Sequence, residues 1–118
     1  MKKLENDLLT EKYTEVWHDK PEFNAPHVFV VTETESKGKN ELTTVTFQKG
    51  AIKERGVNGA NNEDLIAMVI CRLEHFNQSE FRCRENSMAI TKLEETLLWL
   101  RKRTMGREQR GVEGTHIK

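Results

Sequence analysis

The hydrophobic pattern changes period once along this chain, dividing it into a strand-forming part and a helix-forming part. From His27 to Glu35 the run Val28-Phe29-Val30-Val31-Thr32 is rich in β-branched and aromatic residues and predicts a strand. Ser36-Lys37-Gly38-Lys39-Asn40 reads as a turn, and Leu42 to Gln48, dense in β-branched Thr43, Thr44, Val45 and Thr46, as the next strand. Lys49-Gly50 predicts a second turn leading into a short third strand at Ala51–Lys53, which makes the sheet an antiparallel meander. Residues 1–26 are polar and weakly patterned; Leu4, Leu8, Leu9, Tyr13 and Trp17 mark either a short helix or a wandering arm, closed by Pro21 and Pro26.

After the loop Arg55-Gly56-Val57-Asn58-Gly59 the period becomes that of a helix. Asn62 is placed to cap it, Glu63 and Asp64 sit where the helix dipole favours acids, and Leu65, Ile66, Val69, Ile70, Leu73 and Phe76 form the apolar face. Asn77-Gln78-Ser79 interrupts this helix, and Ser79 is placed to cap a second one starting near Glu80. There Cys83, Asn86, Ile90, Leu93, Leu97 and Leu100 recur at alternating steps of three and four, the spacing of a helix–helix seam. The expected fold class is therefore α+β: a small antiparallel β-sheet followed by a long C-terminal α-helical hairpin with its tip near residues 77–80. Residues 27–118 form a single domain in this reading, residues 1–26 an N-terminal arm of uncertain role, and 111–118 a tail after a weak point at Gly106.

Composition narrows the function. At 118 residues, with 36% hydrophobic and 32% charged side chains, the chain has a modest core that subunit contacts would strengthen. It has no apolar run long enough to span a bilayer and no signal-peptide pattern in its first residues, and Cys71 and Cys83 are too few for a disulfide scaffold, so a cytoplasmic location is expected. The 19 basic and 19 acidic residues cancel, which argues against a general DNA or RNA binder. Their distribution is uneven: in residues 101–118 six cations stand against Glu108 and Glu113, a net charge of +4 at one end of the chain.

Two features break the seam of the second helix. Asn86 is its one polar member, and beyond Leu100 the stripe continues into Arg103, Arg107 and Arg110. Asn86 reads equally as a buried residue that sets helix register, the arginines as a solvated helix end, and Phe76 as core. The alternative is a ligand site. Phe76 offers a face for a base, Asn86 a donor and acceptor for an adenine edge, and Arg103 and Arg107 forked donors for phosphate. Gly56-Val57-Asn58-Gly59 and the tail Gly111–His116, with Thr115 and His116, offer backbone N–H groups to an anion and are expected at the arginine end. Seventeen residues separate Asn86 from Arg103, about 25 Å along a helix, so such a pocket needs two chains packed head to tail. There is no P-loop, no G-x-G-x-x-G, no metal-ligand spacing among His18, His27, His75, His116 and the cysteines, and no nucleophile with an evident base. No cofactor, metal or catalytic residue is expected.

Phe47-Gln48-Lys49-Gly50, Gly56-Val57-Asn58-Gly59, Arg82-Cys83-Arg84-Glu85-Asn86, Ala89-Ile90-Thr91-Lys92-Leu93-Glu94-Glu95, Trp99-Leu100 and Arg110-Gly111-Val112-Glu113-Gly114-Thr115-His116 carry a resemblance over about residues 42–118. In these segments the chain resembles the first-described phage anti-Thoeris sponge family, which shares a helical-hairpin domain with anti-CBASS sponges. The resemblance implies dimers that often assemble as hexamers of three dimers. It implies sequestration of a small cyclic nucleotide signal, glycocyclic ADP-ribose, in the bacterial host cytoplasm without cleavage. The family's base-stacking aromatic, pocket asparagine and two arginines fall on Phe76, Asn86, Arg103 and Arg107. Arg55 is the nearest candidate for a further arginine from the sheet region, and Arg110 extends the basic column. The rival readings are capture mainly of cyclic di- or trinucleotides, a hydrolase of the same signal, and a plain interaction protein whose seam recruits a host partner.

Overall fold

A computed structural model describes residues 1–34 and 40–118. The turn expected over 36–40 lies outside the described residues except for Asn40. The chain forms two compact units, Met1–Ala60 and Asn61–Lys118.

The first unit is a four-stranded antiparallel meander of β1 (Lys2–Lys3), β2 (Thr14–His18), β3 (Val28–Glu33) and β4 (Glu41–Thr46), paired in that order. Residues in register share a face, so Trp17 and Thr44 flank Val30, while His18 and Val45 flank Phe29. Val30 and Thr32 are the two buried members of β3, and the indole Nε1 of Trp17 donates to Thr32 Oγ1 at 3.2 Å. On the opposite face Phe29 meets Phe47 edge-on, with ring centroids 5.5 Å apart.

Two expectations fail here. The short helix or wandering arm read into residues 1–26 instead contributes two strands, Lys2–Lys3 and Thr14–His18, because cross-strand partners override weak local patterning: all five residues of β2 pair with β3. Lys3 adds an ion pair with Glu11 and a looser one with Glu15. The third strand read at Ala51–Lys53 is instead a single helical turn, α1 (Ile52–Arg55). Gly50, with φ of 79°, turns the chain away, and the N–H groups of Glu54 and Arg55 both close on the Ala51 carbonyl.

The β2–β3 connection is held by charge. The Asp19 carboxylate accepts the N–H groups of His27 at 3.0 Å and Val28 at 3.2 Å, buried His27 donates from Nε2 to the Glu22 carbonyl at 2.6 Å, and Glu22 pairs with Lys49 at 2.7 Å. Desolvation works to raise the Asp19 pKa, but the N–H groups of Val28 and His27 outweigh it and hold the group below its ordinary 3.8. The Lys49 ammonium, through its hydrogen bond and charge, holds Glu22 below 4.5. Depressed carboxyl values stabilise the fold above the ordinary pKa, and that contribution is lost as pH falls through the folded value. Urea midpoints are therefore expected to hold from neutral pH down to the ordinary carboxylate range and to drop below 3.8. Asp19→Asn should lower the neutral midpoint and flatten the acid limb; an unchanged acid limb would contradict the assignment.

The second unit is the helical hairpin of α2 (Asn62–Asn77) and α3 (Arg84–Gln109). Asn61, one residue before the expected cap, caps α2, with its N–H held by Asp64 Oδ2 at 2.9 Å. Ser79 does not cap α3: its hydroxyl donates back to the Phe76 carbonyl at 2.5 Å and closes the end of α2. Cys83, in extended backbone, takes the cap, its Sγ accepting the Asn86 N–H at 3.4 Å, so α3 starts at Arg84 rather than near Glu80. Asn77 staples the tip by accepting the Cys83 N–H at 3.3 Å and donating to Ser87 Oγ at 2.9 Å.

Within this unit α3 packs along α2. Asn86, Ile90, Leu93, Leu97 and Leu100 form a half-buried stripe along α3. Helix α3 buries no residue fully, and Ile70 is the single buried side chain of α2. Met68, Val69 and Phe76 on α2 and Met88, Leu98, Trp99 and Met105 on α3 stay exposed.

Candidate functional site: the two ends of the hairpin

The sequence-derived site residues fall into separate groups. At the tip, Phe76 ends α2 exposed, with the Arg72 guanidinium 5.6 Å from its ring centroid, and Asn86 lies half-buried in the first turn of α3. Helix α3 has 26 residues and runs unbroken, which places Arg103 about 25 Å from Asn86 at 1.5 Å per residue. One chain does not bring them together.

At the far end α3 outruns the 16-residue α2 by ten residues, about 15 Å. Along this overhang lies an open hollow of about 490 Å³, lined by Trp99, Lys102, Arg103, Gly106, Arg107 and Arg110 of α3 and by Lys118 of the tail. Five cationic side chains and one aromatic, with no Asp or Glu among the lining residues, make an anion-attracting surface with a stacking face. Lys102 Nζ stands 5.1 Å from the Trp99 ring centroid. Glu108, the nearest acid in sequence, is drawn to Arg101 at 2.9 Å. The Arg107 side chain is half-buried, and its Nη2 donates to the carbonyls of Val112 at 3.1 Å and Thr115 at 3.0 Å. Arg110 Nη1 donates to a main-chain oxygen of Lys118 at 3.0 Å, Thr115 Oγ1 donates to the Val112 carbonyl at 2.5 Å, and His116 follows, exposed, in the same tail.

Arg55 and Asn58 belong to the other unit. The Arg55 stem crosses Gly50 where a Cβ would stand, and its guanidinium lies 4.8 Å from the Phe23 ring centroid. Asn58 is spent on the loop: its amide exchanges bonds with the Lys49 backbone at 2.8 and 2.9 Å, and its N–H reaches Gln48 Oε1 at 3.0 Å. Gly59 is required by close approach, since a Cβ there would strike the Phe47 backbone. Among the described residues no group of three His, Cys, Asp or Glu is placed to hold a metal, and no helix is long and apolar enough to cross a membrane.

Comparison with known proteins also finds a hairpin domain. The family model of the Acb2/Tad1 hairpin domain matches residues 39–105. A protein of Bacillus phage SBSphiJ7, Thoeris anti-defense 1, is 53% identical over a 142-residue alignment that covers 100% of both chains. The chain belongs to the Thoeris anti-defense 1 family.

In this Thoeris anti-defense 1 family member the structure adds Trp99, Lys102 and Lys118 to the residues read from sequence. Trp99 was visible only as a resemblance motif. Its position four residues before Arg103, on the same helical stripe, is the periodicity that finds it. Lys118 had no such mark, because only the tail's reversal returns it to α3.

Proposed function

We propose that the protein counters Thoeris immunity by binding glycocyclic ADP-ribose and sequestering it without cleavage, in pockets assembled from two copies in the host cytoplasm. One observation carries this reading: α3 separates the tip bearing Phe76 and Asn86 from the cationic end by about 25 Å yet leaves apolar side chains on both helices uncovered. A second hairpin laid antiparallel would cover such side chains and place the Phe76–Asn86 tip of one chain beside Arg103 and Arg107 of the other, twice by symmetry. Phe76 would stack the base, Asn86 pair with its edge, and the arginines fork onto the diphosphate. The relative's name, Thoeris anti-defense 1, favours this ligand over cyclic di- or trinucleotides. Assembly of three such dimers into a hexamer belongs to the same proposal.

The test is recovery. Protein incubated with glycocyclic ADP-ribose, freed of excess ligand and then heated, should release the intact molecule, identified by mass spectrometry. Release of fragments alone would make the protein a hydrolase. Calorimetry with cyclic di- and trinucleotides should give weaker binding; tighter binding would reassign the main ligand.

A further inference from the structure

Phe76 and Asn86 come from different helices, so their spacing is set by whatever fixes the end of α2 against the start of α3. Their neighbours in sequence, Asn77 and Ser87, do this. Asn77 Nδ2 donates to Ser87 Oγ at 2.9 Å, Ser87 Oγ donates to the Cys83 carbonyl at 3.3 Å, and the Cys83 N–H donates to Asn77 Oδ1 at 3.3 Å. The three residues close a ring in which each holds the other two. Cys83 carries the ring on to Asn86, whose N–H its Sγ accepts at 3.4 Å.

The ring uses both ends of the Asn77 amide and the one hydrogen of the Ser87 hydroxyl. Ser79 is committed too, donating to the Phe76 carbonyl at 2.5 Å and accepting the Phe81 N–H at 3.1 Å. The half-buried side-chain amide of Asn86 makes no hydrogen bond among the described residues, so its donor and acceptor remain for a ligand.

An asparagine reads an adenine edge with its oxygen on the N6 amine and its NH2 on N7. Hypoxanthine carries a carbonyl oxygen in place of that amine, so both edge groups are acceptors. To suit them Asn86 must turn its amide end for end and shift until the NH2 lies between the two. A backbone held by the ring prevents the shift.

We propose that Asn77 and Ser87 are positioning residues for base recognition: the ring they close with Cys83 holds Asn86 beside Phe76 in the one placement that reads adenine. The proposal rests on the ligand reading above and adds two residues to it, both acting through Asn86 rather than on the ligand. A tip set before binding spares the ligand the cost of ordering it, so the ring contributes affinity as well as base selectivity.

The experiment measures the affinity of the full chain for glycocyclic ADP-ribose and for its hypoxanthine counterpart, made by deaminating the adenine. The unaltered protein should prefer the adenine form by about tenfold or more. Asn77→Ala and Ser87→Ala should each weaken capture of the adenine form about tenfold and bring the two affinities within about threefold of each other. The double variant should be no worse than the more severe single, since residues acting as one unit do not add. Ser87→Thr keeps the hydroxyl and should restore both affinity and preference. Alanine is the best helix former, so Ser87→Ala leaves α3 able to form, and far-UV circular dichroism checks it. A ring that only held the hairpin together would weaken both ligands alike; an unchanged preference, or losses that add, overturns the proposal. In ligand-free protein the Cys83 amide should be protected from hydrogen exchange and lose that protection in Asn77→Ala; persisting protection also overturns it. If the unaltered protein binds neither ligand, the ligand reading fails and the base-reading role falls with it. The exchange result still decides whether Asn77 and Ser87 fix the tip.

Discussion

Mixing two inactive variants is expected to restore capture of glycocyclic ADP-ribose. In the proposed two-chain pocket, Asn86→Ala alone would remove the base-edge contact from every site, and Arg103→Ala alone a phosphate contact from every site. Each should weaken binding by about 2–4 kcal/mol, roughly 30- to 700-fold, because the ligand group left behind is buried without its partner. In a heterodimer of the two variants the defects do not distribute evenly. One pocket receives both, and the other combines the intact Asn86 of one chain with the intact Arg103 of its partner. Random co-assembly makes half the dimers mixed, so about one site in four should bind with unaltered affinity. Titration calorimetry of the co-refolded mixture measures that fraction directly. A pocket formed within one chain would leave every site with a defect, and no high-affinity binding would return.

The second large effect concerns the hairpin core. Ile70 is 9% exposed and is the one buried side chain of α2, while α3 has none. Ile70→Ala should destabilise the hairpin by about 2–4 kcal/mol through lost burial and the cavity left behind. So thin a core has little else to absorb the loss, so helical circular dichroism and ligand capture should fall together. Leu8→Ala is the control: Leu8 is 91% exposed, and the change should stay within about 0.5 kcal/mol. Equal urea midpoints for the two variants would show that Ile70 does not hold the helices together.

Much of the candidate site was legible because it lies on one long periodic helix. The steps of three and four from Asn86 to Leu100, and their continuation into Arg107, survive any error of a residue or two in where α3 starts. The cap itself was misread. Ser79 and Cys83 both precede helical pattern, and the choice fell to Cys83 because the Ser79 hydroxyl closes α2 instead. The polar N-terminal residues failed for a related reason. Thr14–His18 carries little alternation of its own, and its pairing partners lie about ten to twenty residues away.

What the sequence determined by itself was the order of elements for residues 27–48 and 62–109 and the opposition between a tip bearing Phe76 and Asn86 and an end bearing arginines. Those depend on spacing along one chain, which periodicity records. Tertiary structure decided which partner each surface meets. It packed α3 along α2, placed β2 beside β3, committed Asn58 to the Lys49 backbone, and folded the tail back onto Arg107. Each of these is a contact between segments whose residues have several chemically acceptable partners. Selection among them follows from the three-dimensional fit of the whole unit, which no local pattern encodes.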